Sequence, residues 1–176
     1  MISGRIDDFD FALTSTMHTA LVVVSVLSAV LLAAAPANAD LTTFVGANTS
    51  PSNRPVQGFG IGLSLLVIGF EFEFSNTSAD ETTGATGLRT GMFNLLVQTP
   101  FGVSGLQFYG TAGGGIYQEA GGGLTETNVG GNAGIGVKIA VGGPFRMRLD
   151  YRVFTLRGAP QQDVQQRLYA GLNLGF

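Results

Sequence analysis

The chain contains no cysteine, which excludes disulfides, thiol nucleophiles and thiolate metal sites. Its single histidine, His18, lies in an amino-terminal stretch that reads as a removable leader. The rest of the chain therefore has no imidazole, and Ser-His hydrolysis, His metal ligation and His acid–base work are excluded with it. Charged residues are only 12% of the total, about half the usual share, and a soluble domain this poor in charge is hard to keep dispersed. The net charge of −3 is too small to point to a charged partner, nucleic acid included. No cofactor motif is present. Gly113-Gly114-Gly115 and Gly121-Gly122-Gly123 share the composition of phosphate-cradling loops, but no Gly-Lys-Ser/Thr follows either. Strand bends and loop flexibility are the better reading of both.

What is abundant is glycine, 27 of 176 residues, and short apolar segments. The longest apolar run, Ala20 to Ala35, is too short and too rich in small residues for a spanning helix. Pro36 and then Ala37-Asn38-Ala39 follow it, and A-x-A before Asp40 is a cleavage pattern. Met17–Ala39 therefore reads as a secretory signal peptide cut after Ala39, with Ala37 and Ala39 as the small residues of the cleavage site. The chain divides into a leader, residues 1–39, and a mature domain, 40–176. Asp7, Asp8 and Asp10 outnumber Arg5 in the first sixteen residues, the wrong charge for a signal n-region, so translation is expected to start at Met17.

In the mature domain the dominant period is two. Eight candidate strands follow: 41–48, 59–65, 67–75, 88–98, 106–117, 128–141, 145–156 and 166–176. Phe70, Phe72 and Phe74 share one face of the third, opposite Glu71 and Glu73. Phe145, Met147, Leu149, Tyr151 and Val153 oppose Arg146, Arg148, Asp150 and Arg152 in the seventh. The first strand is less regular, with Phe44 on its polar side, and Leu95-Leu96-Val97 hides the register of the fourth. Connections after strands two, four and six are short or apolar. Those after one, three, five and seven (SPSNRPVQG, NTSADETTGATG, QEAGGGLTET and RGAPQQD) are longer and polar. An even strand count with alternating short turns and long loops predicts an all-β fold, an eight-stranded antiparallel up-and-down transmembrane β-barrel. Hydrocarbon cannot satisfy a bare strand edge, so the sheet has to close.

The apolar face then meets lipid and the polar face lines the lumen. The expected lumen charges are Glu71, Glu73, Lys138, Arg146, Arg148, Asp150, Arg152 and Arg167, with Gln107, Tyr109, Asn132, Tyr169 and Asn173 among them. An Arg on the lipid face at mid-depth costs roughly 2–4 kcal/mol. Reversing the sheet would place the four charges of strand seven there, at about 8–16 kcal/mol on that scale, which matches or exceeds typical net stability. Gly60, Gly62, Gly134, Gly136, Gly171 and Gly175 fall on the lumen side and make room for long side chains. Glu71 and Glu73, about 6.5 Å apart on one strand, have the separation of a glycosidase carboxylate pair. They read better as partners of the strand-seven arginines. Arg146, Arg148 and Arg152 would line an anion path if the lumen were open, and a paired network if it were filled. Asn48-Thr49-Ser50 and Asn76-Thr77-Ser78 fit the glycosylation pattern, which has no use in a bacterial envelope.

The last stretch, QRLYAGLNLGF, alternates strictly and ends on an aromatic. Tyr169-x-Gly171-x-x-Leu174-x-Phe176 resembles the carboxyl-terminal signature of bacterial outer-membrane β-barrels, with Leu174 where an aromatic is also common. The mature domain as a whole resembles small barrels of the OmpA and OmpX type. That resemblance implies residence in the bacterial outer membrane, contact with its lipid and insertion by the barrel-assembly machinery; a monomer is expected, and no enzymatic activity, since the mature domain lacks histidine. The implied role is structural, adhesive or surface-interacting, with the surface ligand unspecified. No periplasmic domain is expected after Phe176, so cell-wall tethering is not implied. A narrow solute channel through the same barrel and a soluble lipocalin-type barrel with its apolar face inside are the competing expectations.

Intact-mass measurement of the exported protein is expected to give Asp40–Phe176, and amino-terminal sequencing of the unprocessed precursor to begin at Met17. A precursor that starts at Met1 and is exported normally would overturn the start.

Overall fold

The computed structural model describes residues 37–100 and 105–176. The expected translation start and the apolar run of the leader lie outside the described residues. Eight strands follow one another: β1 (Ala37–Asn48), β2 (Arg54–Leu65), β3 (Ile68–Thr77), β4 (Gly87–Gln98), β5 (Leu106–Gly121), β6 (Leu124–Gly142), β7 (Phe145–Leu156) and β8 (Val164–Gly175). Each pairs antiparallel with its sequence neighbours, and β1 pairs with β8 from Asp40↔Gly175 to Asn48↔Arg167, so the sheet is a closed barrel. Beyond the last ladder pair, Ala39 N–H donates to Phe176 O (2.7 Å) and Phe176 N–H to Ala39 O (2.9 Å), continuing the seam. All eight expected strands are present, and β7 has the expected limits. β1 begins at Ala37, so cleavage after Ala39 would trim its first three residues and leave Asp40↔Gly175 as the closing pair.

The expectation of a long polar loop after the fifth strand is wrong. β5 and β6 pair as far as Gly121↔Leu124, with β6 running beyond its last β7 pair at Gly130↔Leu156, and are joined by Gly122 and Gly123 alone. Both turn residues have positive φ, 60° and 81°, the primed geometry whose twist matches the flanking strands and which glycine adopts without strain. The composition QEAGGGLTET therefore belongs mostly to a hairpin. Likewise β2 starts at Arg54, inside the stretch expected as the first loop. The connections after β1, β3 and β7, residues 49–53, 78–86 and 157–163, lie at one end of the barrel.

Parity is as expected. Phe93 (72% exposed), Ile135 (68%) and Leu172 (51%) point outward, while Arg148 (1%) and Arg152 (0%) are enclosed. This is the reverse of a soluble ligand-binding barrel. An uninterrupted apolar outer wall far exceeds the patches that soluble monomers expose; hydrocarbon is the solvent it fits. In β4 the register hidden in the sequence resolves as Phe93, Leu95 and Val97 outward, with Leu88, Met92, Asn94 and Leu96 inward. The lumen is therefore less uniformly polar than expected. Leu88, Met92, Tyr117, Phe154 and Leu156 form a buried apolar layer near the long-loop end, and Phe44, Val56 and Tyr169 form a second cluster.

Candidate functional site: the ionic interior and the loops above it

β3 and β7 are four strands apart in either direction around an eight-strand ring. They are opposite walls, and their side chains meet. Arg148 reaches across to Glu71 with both terminal nitrogens, Nη1 to Oε2 and Nη2 to Oε1 (3.2 Å). Arg152 lies against three carboxylates: Glu71 (3.0 Å), Glu73 (2.9 Å) and Asp150 (2.9 Å). Arg148 also meets Asp150 at 3.1 Å, and Arg167 of β8 meets Glu73 at 3.1 Å. Three guanidinium groups thus face three carboxylates, all buried. Two tyrosines join the network. Tyr109 donates its hydroxyl to Asp150 and accepts from Arg148 Nε at 2.6 Å. Tyr169 donates to Glu73 (3.2 Å) and accepts from Arg152 (3.0 Å).

Such a cluster is stable only when every ion is paired, because an unpaired buried charge costs several kcal/mol. The planar fork of arginine lets one cation serve two or three acceptors in fixed geometry. Glycine supplies the space. A Cβ on Gly136 would lie 2.2 Å from the Tyr109 hydroxyl, and one on Gly134 would lie 2.6 Å from Arg152 Cγ. The expectation that lumen glycines make room for long side chains holds at these positions.

All eight expected lumen charges face inward, although Arg146 keeps 19% of its side chain exposed. It shares Asp40 with Lys138, at 3.3 and 2.7 Å. Asp40 was not expected in the lumen, because the first strand was expected to begin at Leu41. Extending β1 by one residue puts Asp40 on the parity of Thr42 and Phe44. Arg54, Glu119 and the apolar layer were also missed. Phe154 and Leu156 merely continue the inward parity of β7 and are readable from it; Arg54 lies before residue 59, where the sequence alternation of β2 becomes regular. Phe44, the exception in β1, stacks on Tyr169 at 4.2 Å with 22° between ring planes. Of the expected assembly-signal residues, Tyr169 is thus an interior residue, Gly171 sits against Thr43 O and Phe44 Cβ, Leu174 points outward, and Phe176 is exposed at the short-turn rim.

At the other end the loops lie across the mouth. Gln161, from the β7–β8 loop, accepts from the backbone N–H (2.9 Å) and hydroxyl (3.2 Å) of Thr86 and donates to Gly84 O (2.8 Å) in the opposite loop. Its own N–H donates to Glu119 Oε2 (2.8 Å). Beneath, Arg54 donates to the carbonyls of Thr86 and Ser50 and to Gln165 Oε1 (3.2 Å). In the β3–β4 loop Asp80 accepts from the hydroxyls of Thr82 and Thr83 and the N–H of Thr82 (3.0 Å). These bonds, led by Thr82, favour the ionised carboxylate and bring its pKa down to about 2.

No protein-family model and no curated protein matches the sequence. Solved structures do match the fold. Neisserial surface protein A superposes with a TM-score of 0.60 at 16% identity, over 80% of this chain and 96% of its own. The fold is that of small outer-membrane β-barrels. Ail, the attachment invasion locus protein of Yersinia pestis, gives 0.51 at 14% identity, over 80% and 98%. The outer-membrane enzyme PagL gives 0.50 at 12% identity, over 77% and 98%. The fold thus carries surface, attachment and enzyme proteins, and role has to be argued from this chain's own side chains.

Two outcomes follow from the interior and the loop. Arg152→Gln leaves buried carboxylates short of a partner and is expected to lower stability by about 3–5 kcal/mol, read as the urea midpoint of refolding into vesicles. Adding Glu71→Gln restores charge balance, leaving Arg148 with Asp150 and Arg167 with Glu73, and is expected to recover part of the loss, as a double-mutant cycle shows. For Asp80, a depressed folded pKa means that the loop contacts persist above the unfolded value near 4. They are lost as pH falls through about 2. Carboxyl NMR of Asp80 is expected to titrate near 2 and to move toward 4 when Thr82 and Thr83 are replaced by Ala.

Proposed function

We propose that this chain is an integral barrel of the bacterial outer membrane, non-conducting and non-enzymatic, whose role is structural, adhesive or surface-interacting through its long-loop end. The observation that carries the reading is the set of bonds between opposite walls: Arg148 and Arg152 of β7 against Glu71 and Glu73 of β3. A lumen crossed by its own side chains at mid-height has the filled interior of a small eight-stranded barrel. The apolar layer of Leu88, Met92, Tyr117, Phe154 and Leu156 adds a second obstruction. Catalysis finds no support in the same residues. Glu71 and Glu73 are 5% and 1% exposed and each is held by two guanidinium groups, so neither faces a cleft where a substrate would sit.

Membrane residence is supported by the outward apolar wall, and export by the cleavage pattern at Ala37 and Ala39. Insertion by the assembly machinery rests on Tyr169, Gly171, Leu174 and Phe176. Phe176 is well exposed at the rim, where a receptor would reach it. Surface interaction is the part of the role that falls to the loops, since every other outward residue of the strands lies in or beside the lipid belt.

Planar-bilayer recording tests the filled lumen. Wild-type protein is expected to give no stable openings. Openings in the wild type that change on Arg148→Ala would replace this reading with a solute channel. Because the chain has no cysteine, Glu81→Cys provides a unique label. It is expected to react with an impermeant maleimide on whole cells, and protection there would reverse the proposed orientation.

A further inference from the structure

The outer wall of the strands carries one charged side chain among the described residues, Arg89 on β4. The strand register sets its neighbours. Gln57, Asn76, Arg89, Gln118 and Thr127 are consecutive partners across β2 to β6. The next outward row toward the short-turn end is Phe59, Phe74, Gly91, Ile116 and Val129, and the one after it contains Phe72, Phe93, Gly114 and Gly131. The Arg89 row is polar in all five strands, and the two rows below it hold only apolar residues and glycine. That change marks where the wall leaves water and enters hydrocarbon, on the long-loop side.

Directly below Arg89 the wall is indented. Gly91 and Gly114 contribute no side chain, and Phe72, Phe74, Phe93 and Ile116 stand around the gap. The result is a groove of about 610 Å³ that Arg89 and Gln118 border at its upper end. Phe72 and Phe93 lean together at 5.1 Å, while Phe93 and Ile116 remain largely uncovered. Arg89 bonds Asn76 through Nε at 3.4 Å, and no carboxylate of the described residues lies within 4.0 Å of it. Its terminal nitrogens are therefore open to an anion. Guanidinium forks match phosphate oxygens in pairs, and an aromatic trough in the hydrocarbon layer matches an acyl chain.

We propose that this groove is a binding site for a lipid of the leaflet on the long-loop side that carries a phosphate monoester, as opposed to the zwitterionic diester of phosphatidylcholine, with its phosphate on Arg89 and one acyl chain along Phe72, Phe93 and Ile116. The site rests on the membrane-spanning reading above. A protein partner is less suited, because the groove opens into the lipid belt and its polar contact is a single cation at the boundary.

The geometry offers two independent perturbations. Arg89→Gln removes the charge at an exposed position. Gly91→Leu fills the groove: a Cβ there would meet Ile116 Cγ1 at 3.9 Å and Phe72 Cε2 at 4.0 Å, ordinary contacts that leave the strand unstrained. The full mature chain is placed in phosphatidylcholine nanodiscs containing lipid A or its dephosphorylated form, then released for native mass spectrometry. Wild-type protein is expected to retain one lipid A and to retain the dephosphorylated form at least five-fold less. Each variant is expected to lose lipid A retention by a similar factor while keeping heat-modifiable gel migration. Equal retention of both lipids by the wild type, or undiminished lipid A on both folded variants, overturns the site. Failure of the wild type to enter nanodiscs or to show heat-modifiable migration would instead overturn the membrane reading.

Discussion

The rest of the structure depends on the fact that hydrocarbon offers no hydrogen bond to a strand edge. Eight strands must therefore close, and the closing pair is β1 with β8. Closure divides every strand into residues that face lipid and residues that face one another across a narrow lumen. With charge excluded from the outer wall except at its boundary, the interior receives the ions. Their pairing is then compulsory, because no bulk water is near enough to solvate them.

That confinement explains why the interior is built from arginine, glutamate, tyrosine and glycine together. Arginine is long enough to reach the far wall and can hold several acceptors at once; Arg152 touches Glu71, Glu73 and Asp150. Tyr109 and Tyr169 donate to carboxylates and accept from guanidinium nitrogens, so each braces an ion pair already in contact, Arg148 with Asp150 and Arg152 with Glu73. Glycine is the complement of these large groups. Gly134 and Gly136 lie where Arg152 and Tyr109 pass, and a methyl group there would displace them. High glycine and low charge in the composition are thus two sides of one packing problem.

Much of this was legible in the sequence because period-two alternation carries the inside–outside decision directly. The pattern of β7 alone assigned Arg148, Asp150 and Arg152 to the lumen and Leu149 to lipid. What escaped notice lies where alternation weakens or where strands run past their regular part. The all-apolar Leu95-Leu96-Val97 conceals the inward Leu96, and glycine-rich Gln118–Thr127 has the composition of a loop although a two-residue turn suffices. Arg54 and Asp40 sit at strand ends, where the boundary is least certain. The pairing of particular ions was not legible at all. Parity says which face a residue occupies, whereas contact across the lumen depends on strand stagger.

The low identity to other barrels of this fold, 12–16% among those compared, follows from the same division of labour. A lipid-facing position asks only for an apolar side chain, so almost any will do, and the outer wall retains little sequence memory. The lumen asks for mutual satisfaction, which many combinations of ions achieve. Neither constraint points to a role. Individuality has to reside where both lapse: in the loops tied by Gln161, Thr86 and Asp80, and at the one outward strand position where a cation stands above an aromatic groove. A positive charge held at the membrane boundary, where an uncharged residue would serve the barrel equally well, is a feature that folding does not require. It is therefore the outward residue whose presence most needs a ligand to explain it.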